Sequence, residues 1–82
     1  MSTVITDEQA LANLSRNLKQ ALEDRGMTQA ELARLTGDGE MNISRYVRGI
    51  QMPGAGVLVR LAEALDLTAD ELVASRKLAK IR

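Results

Sequence analysis

Cysteine and histidine are both missing from the 82 residues. Disulfides and thiolate metal sites go with the first, and the usual general base and commonest metal ligand go with the second. Carboxylates, lysines, hydroxyls and a single tyrosine are left for chemistry, so catalysis is not expected and neither is a metal or cofactor. Tyr46 is also the whole aromatic complement. A stacking platform for single-stranded nucleic acid uses several aromatic faces and is not expected here, while duplex DNA remains open. No apolar run nears the roughly 20 residues a membrane span needs, and Met1 to Asp7 has neither the basic start nor the apolar stretch of a secretory signal. The expectation is a cytoplasmic protein with no membrane partner, and a cysteine-free chain agrees with that compartment.

An excess of either charge is lacking too, since eleven basic side chains face eleven acidic ones. That balance argues against a strong nonspecific polyanion binder. The distribution is uneven, however. From Met41 to Ala62 the charged residues are Arg45, Arg48 and Arg60, without one acid, whereas Asp7, Glu8, Glu23, Asp24, Glu31, Asp38 and Glu40 precede them. Any basic surface is therefore local.

What is present in quantity is helical periodicity. Leu11, Leu14, Leu18 and Leu22 recur at helical spacing beside Ala10 and Ala21, and no window alternates as a strand would. Thr6 to Gln9, Thr28 to Glu31 and Thr68 to Glu71 each fit the capping box, in which a hydroxyl and a carboxylate or amide satisfy free amides of a first turn. Gly26, Gly37 and Gly49 follow periodic segments as stop signals, and Pro53 precedes a further apolar segment, Val57, Leu58, Leu61, Ala62 and Leu65. The prediction is an all-α chain of five helices, near 7–25, 28–36, 40–48, 54–65 and 68–75. The joints are short and carry no linker composition, so residues 1–82 form one domain with a core over about 7–75 and a basic tail over 76–82.

Within it, Thr28 to Gly49 reads as a helix, a turn around Gly37 and a second helix, which is the helix-turn-helix arrangement. Leu32, Leu35 and Thr36 are expected to face the core, with Ala33 small where the helices cross and Ile43, Tyr46 and Val47 as the inner face of the second helix. The opposite face carries Glu40, Met41, Ser44, Arg45 and Arg48, groups able to reach base edges and phosphates.

The chain closely resembles the lambda-repressor and Cro type of helix-turn-helix regulator, often called the XRE family. Matching residues are Thr28-Gln-Ala-Glu-Leu-Ala33, Gly37, Ile43-Ser-Arg45, Arg48-Gly49, Pro53 and Val59 through Leu72, which cover most of the chain in order. The resemblance implies a compact five-helix DNA-binding domain. It implies that Gln29 binds a backbone phosphate at the start of the second helix, where a side-chain donor adds to the positive helix end. Thr28 belongs to the same phosphate-facing group, and Asn42, Arg48 and Gln51 are candidates for flanking phosphates. The positions that face bases in the family are here Glu40, Met41, Ser44 and Arg45. By chemistry, Arg45 can bond a guanine bidentately, Met41 can lie on a thymine methyl, Ser44 can bond several edges and Glu40 can accept from a cytosine amino group. The chain departs from the family pattern at the turn, which reads Asp38-Gly39 in place of an apolar residue and a capping hydroxyl. Glu40 is acidic where neutral or basic residues are common. Leu22 and Val47 stand where the family often buries an Arg–Glu pair, a replacement that apolar packing can make neutral or favourable.

The functional expectation is a sequence-specific regulator, a repressor acting by occupancy of a palindromic operator. A homodimer reading half-sites about 34 Å apart is its natural form, with Leu67, Leu72, Leu78 and Ile81 as candidate dimer contacts. The competing reading is an antitoxin-like module whose main partner is a protein such as a toxin, favoured by the neutral charge, Asp38 and Glu40.

Overall fold

A computed structural model of the chain describes residues 4–75, and these form five helices: α1 (Asp7–Arg25), α2 (Gln29–Thr36), α3 (Glu40–Val47), α4 (Ala55–Ala64) and α5 (Ala69–Val73). All five expected helices are present, each within a residue or two of its expected limits. Thr6, Thr28 and Thr68 sit just outside their helices as N-caps, and each box closes in both directions. At α2 the Thr28 amide donates to Glu31 Oε1 at 2.8 Å while the Glu31 amide donates to Thr28 Oγ1 at 3.1 Å. These bonds satisfy amides that would otherwise have no helical partner.

That cap acts on its own carboxylate. The backbone N–H of Thr28 and then the Thr28 hydroxyl hold the Glu31 carboxyl below the usual glutamate range; desolvation opposes them, and the charge of Arg34 adds the least lowering effect. A carboxyl lowered in the folded state adds stability that is complete above the ordinary glutamate pKa and is lost as pH falls through the lowered value. An NMR titration of Glu31 is expected to give a midpoint below the usual range, and Thr28→Val should move it upward. A midpoint that ignores Thr28 would mean the box does not persist in solution.

α1 is the central post. It packs against α3 on one side and α5 on another, while α2 bridges α3 and α4, and α4 closes on α5. Leu14, Leu18, Leu32, Ile43, Leu61, Leu65 and Leu72 are fully buried together. Each such side chain contributes roughly 1.5–3 kcal/mol relative to exposure. Leu22 and Val47 lie in the same cluster, so the apolar pair that departs from the family pattern is packed as core. Leu72 is likewise spent inside the monomer, which removes it from the candidate dimer contacts; Leu78, Ile81 and the rest of the basic tail lie outside the described residues.

One core assignment needs correction. Leu35 is 60 % exposed, because the core-facing side of the short α2 is taken by Leu32, Ala33 and Thr36. Thr36 earns its buried place by donating to the Leu32 carbonyl at 2.9 Å.

The polar side of α1 was not legible as structure. Asn17, fully buried, points Nδ2 at the carbonyls of Glu71, Leu72 and Ala74 at 3.1, 2.9 and 3.0 Å. Asn13 Nδ2 donates to the Val73 carbonyl at 3.0 Å and Arg16 Nη2 to the Ala74 carbonyl at 2.7 Å. Helix α5 has only five residues and could not persist alone. Its orphan C-terminal carbonyls are satisfied from α1 instead.

Candidate nucleic-acid interface

Helix α3 is amphipathic in the strict sense: Ile43, Tyr46 and Val47 are buried, and the residues between them are not. Its C-terminal end is well secured. Gly49, at φ +73°, lets its own amide reach the Tyr46 carbonyl at 3.1 Å and the Ile50 amide reach the Arg45 carbonyl at 2.9 Å, the Schellman pattern. From behind, Ser15 Oγ of α1 donates to the Val47 carbonyl at 2.6 Å. A side chain at Gly49 would press on Ser15, with Cβ atoms 3.3 Å apart, so the helix end and α1 meet backbone to side chain.

The outer face carries the residues singled out from the sequence. Glu40, Met41, Arg48 and Gln51 are exposed, while Asn42, Ser44 and Arg45 are half-buried along the helix. Met41, at 65 % exposure, is not a core filler and leaves an uncovered thioether beside the arginine. Arg45 lies back along α3, with Nη1 3.4 Å from Asn42 Oδ1 and Nη2 3.4 Å from Met41 Sδ. Arg48 Nε reaches Ser44 Oγ at 3.1 Å. Among the described residues neither guanidinium is paired with a carboxylate. Both are therefore oriented by weak neutral contacts and keep their charge uncompensated, a state suited to an anionic or acceptor-rich partner.

Thr28 and Gln29 stand at the first turn of α2, exposed and half-exposed. The Thr28 oxygen accepts from the Glu31 amide within the capping box.

The turn before α3 is held in an unexpected way. Gly39 is the N-cap and offers no side-chain bond, unlike the threonines ahead of α1, α2 and α5. Asp38 folds inward, its Oδ1 3.4 Å from Arg60 Nη2 on α4. An acid in a turn and an arginine 22 positions later carry no local signal, so sequence reasoning had no means of joining them.

With this geometry in view, the chain belongs to the helix-turn-helix family of DNA-binding transcription regulators, whose pattern matches residues 18–72. It is 40 % identical over 55 residues to an uncharacterized HTH-type transcriptional regulator, y4dL, of Sinorhizobium fredii, covering 67 % of this chain and 28 % of that protein. It is 29 % identical over 68 residues to the HTH-type transcriptional regulator ImmR of Bacillus subtilis, covering 83 % of this chain and 54 % of the relative. The chain thus spans between a quarter and about half of the curated relatives it matches. Two solved structures share the fold. A hypothetical transcription factor, NHTF, from Neisseria superposes with a TM-score of 0.76 at 27 % identity, over 90 % of this chain and 86 % of the other. The SOS-response transcriptional repressor LexA from Eubacterium rectale gives a TM-score of 0.78 at 25 % identity, over 96 % and 83 %. The five-helix expectation and the family resemblance are both confirmed by these matches. Among the described residues no helix is long and apolar enough to cross a membrane.

Proposed function

We propose that this chain is a cytoplasmic, sequence-specific repressor that inserts α3 into the major groove of a palindromic operator and acts as a homodimer. The observation that carries the reading is the outer face of α3, where Arg45 and Arg48 stand clear of the core with no carboxylate partner among the described residues. Arg45, Ser44, Met41 and Glu40 read base edges, and Thr28, Gln29, Asn42, Arg48 and Gln51 hold phosphates. A single domain of this size covers too little DNA for high specificity, which is why two half-sites related by two-fold symmetry suit it. Selection from a random duplex library with the purified chain tests the whole reading. An enriched palindrome supports it, and enrichment of nothing over random duplex refutes it.

The division between positioning and reading is separately testable. Gln29→Ala is expected to weaken binding to selected and random duplex by the same factor, about fivefold to tenfold, because a phosphate contact carries no sequence information. Titration by fluorescence anisotropy at fixed salt measures it, and a loss confined to the selected duplex would move Gln29 into the base-reading set.

A protein-binding role is the second reading, and the exposed Leu35, Ile50 and Val59 favour it. Salt separates the two. Duplex binding should fall steeply as salt rises, whereas docking on apolar side chains should not.

A further inference from the structure

We propose that Asp38 and Arg60 form a brace between the turn and α4 that sets the direction of α3, replacing the capping hydroxyl this turn lacks. The proposal deepens the reading of α3 as the base-facing helix and depends on it for its functional half. The turn is Gly37-Asp38-Gly39, two glycines around one side chain, so its backbone has little intrinsic stiffness. Two ties hold it. The Asp38 amide donates to Thr36 Oγ1 at 3.4 Å, which links the turn to α2, and the Asp38 carboxylate reaches Arg60, which links it to α4.

The second tie is not an ordinary surface ion pair, where two mobile ends in water gain almost nothing. The Asp38 side chain is only 14 % exposed, and its Oδ2 is buried with no hydrogen-bond partner among the described residues. A carboxylate so enclosed is largely withdrawn from solvent and depends on Arg60, the cation that the described residues set beside it. Arg60, at 49 %, is the solvated end, anchored on a helix that packs against both α2 and α5. The carboxylate also precedes the N-terminus of α3, where negative charge is favourable. Glu40 and Met41 follow the brace directly, so a tilt at this point displaces the base-facing side chains first.

Arg60→Ala in the full chain, compared with wild type, tests the proposal by two readouts. Amide exchange over Ile43 to Arg45, the first amides of α3 with a helical acceptor (Ile43 donates to the Gly39 carbonyl at 3.1 Å), should accelerate about fivefold, the factor a lost N-cap is worth. The preference for selected over random duplex should fall by about the same factor while binding to random duplex is kept. Gly39→Ser in the Arg60→Ala background should restore both, because it supplies the missing hydroxyl at the N-cap; a Cβ there meets nothing nearer than Asn42 Nδ2 at 3.9 Å. If Arg60→Ala fails to fold, Asp38→Asn discharges the pair while keeping its shape and should move both readouts the same way. Unchanged exchange overturns the brace. Altered exchange with intact base preference, or no rescue by Gly39→Ser, overturns its role in aiming α3. A wild-type chain that prefers no duplex overturns the DNA reading instead, and the exchange measurement then decides the brace alone.

Discussion

Asn17→Asp is expected to destabilise the fold by about 3–5 kcal/mol. The wild-type side chain is fully buried and its two amide hydrogens are shared among the Glu71, Leu72 and Ala74 carbonyls. An aspartate has the same shape but only acceptors, so the same position would set a carboxylate against three carbonyl oxygens. Arg16 Nε, 3.2 Å from Asn17 Oδ1, offsets part of that cost from the opposite side. Asn17→Leu should be milder, about 1–3 kcal/mol, since the Ala74 carbonyl still accepts from Arg16 Nη2 and the Glu71 carbonyl from the Ala74 amide, and no charge is buried. A small domain has on the order of 5–15 kcal/mol in total, so the aspartate variant should give up a large share of that margin and melt at clearly lower urea. Urea melts followed by circular dichroism would measure both. Equal stability of the Asp and Leu variants would show that the α1 to α5 bonds are not maintained in solution.

Arg45→Ala is expected to lower affinity for the selected duplex by about 1–3 kcal/mol, roughly fivefold to 150-fold, while changing random-duplex binding little. The physical ground is the position of the guanidinium. It lies on the outer face of α3, aligned by Asn42 and Met41 at 3.4 Å, and no carboxylate among the described residues has to release it before it meets a guanine. Truncation removes two parallel donors that only one base edge can use fully. Anisotropy titrations on both duplexes at one salt concentration supply the comparison, because affinities at different salt are not comparable. A parallel loss on the two duplexes would mean that Arg45 contacts phosphate, and the base-reading assignment of this face would fall.

The two substitutions probe different depths of the chain, and the sequence spoke to them unequally. Arg45 announced itself through spacing, since Ile43, Tyr46 and Val47 claim one side of a helix and leave it on the other. Asn17 gave a fainter sign: with Asn13 it borders the Leu14 and Leu18 stripe, polar residues where a core face was forming. What they bonded could not be guessed, because their acceptors lie 54 to 60 positions away. Leu35 misled for the same reason in reverse. Its apolar side chain suits a core, but an eight-residue helix has a single inner side, and Leu32, Ala33 and Thr36 occupy it.

The sequence by itself determined the number, type and limits of the helices, the inner and outer faces of α3 and the family, because capping boxes, glycine stops and apolar spacing act within three or four residues. Tertiary structure alone decided how those helices are fastened: α5 to α1 through Asn13, Arg16 and Asn17, α3 to α1 through Ser15, and the turn to α4 through Asp38 and Arg60. Each of those bonds joins groups that become neighbours only after the core has closed, and so no local pattern encodes them.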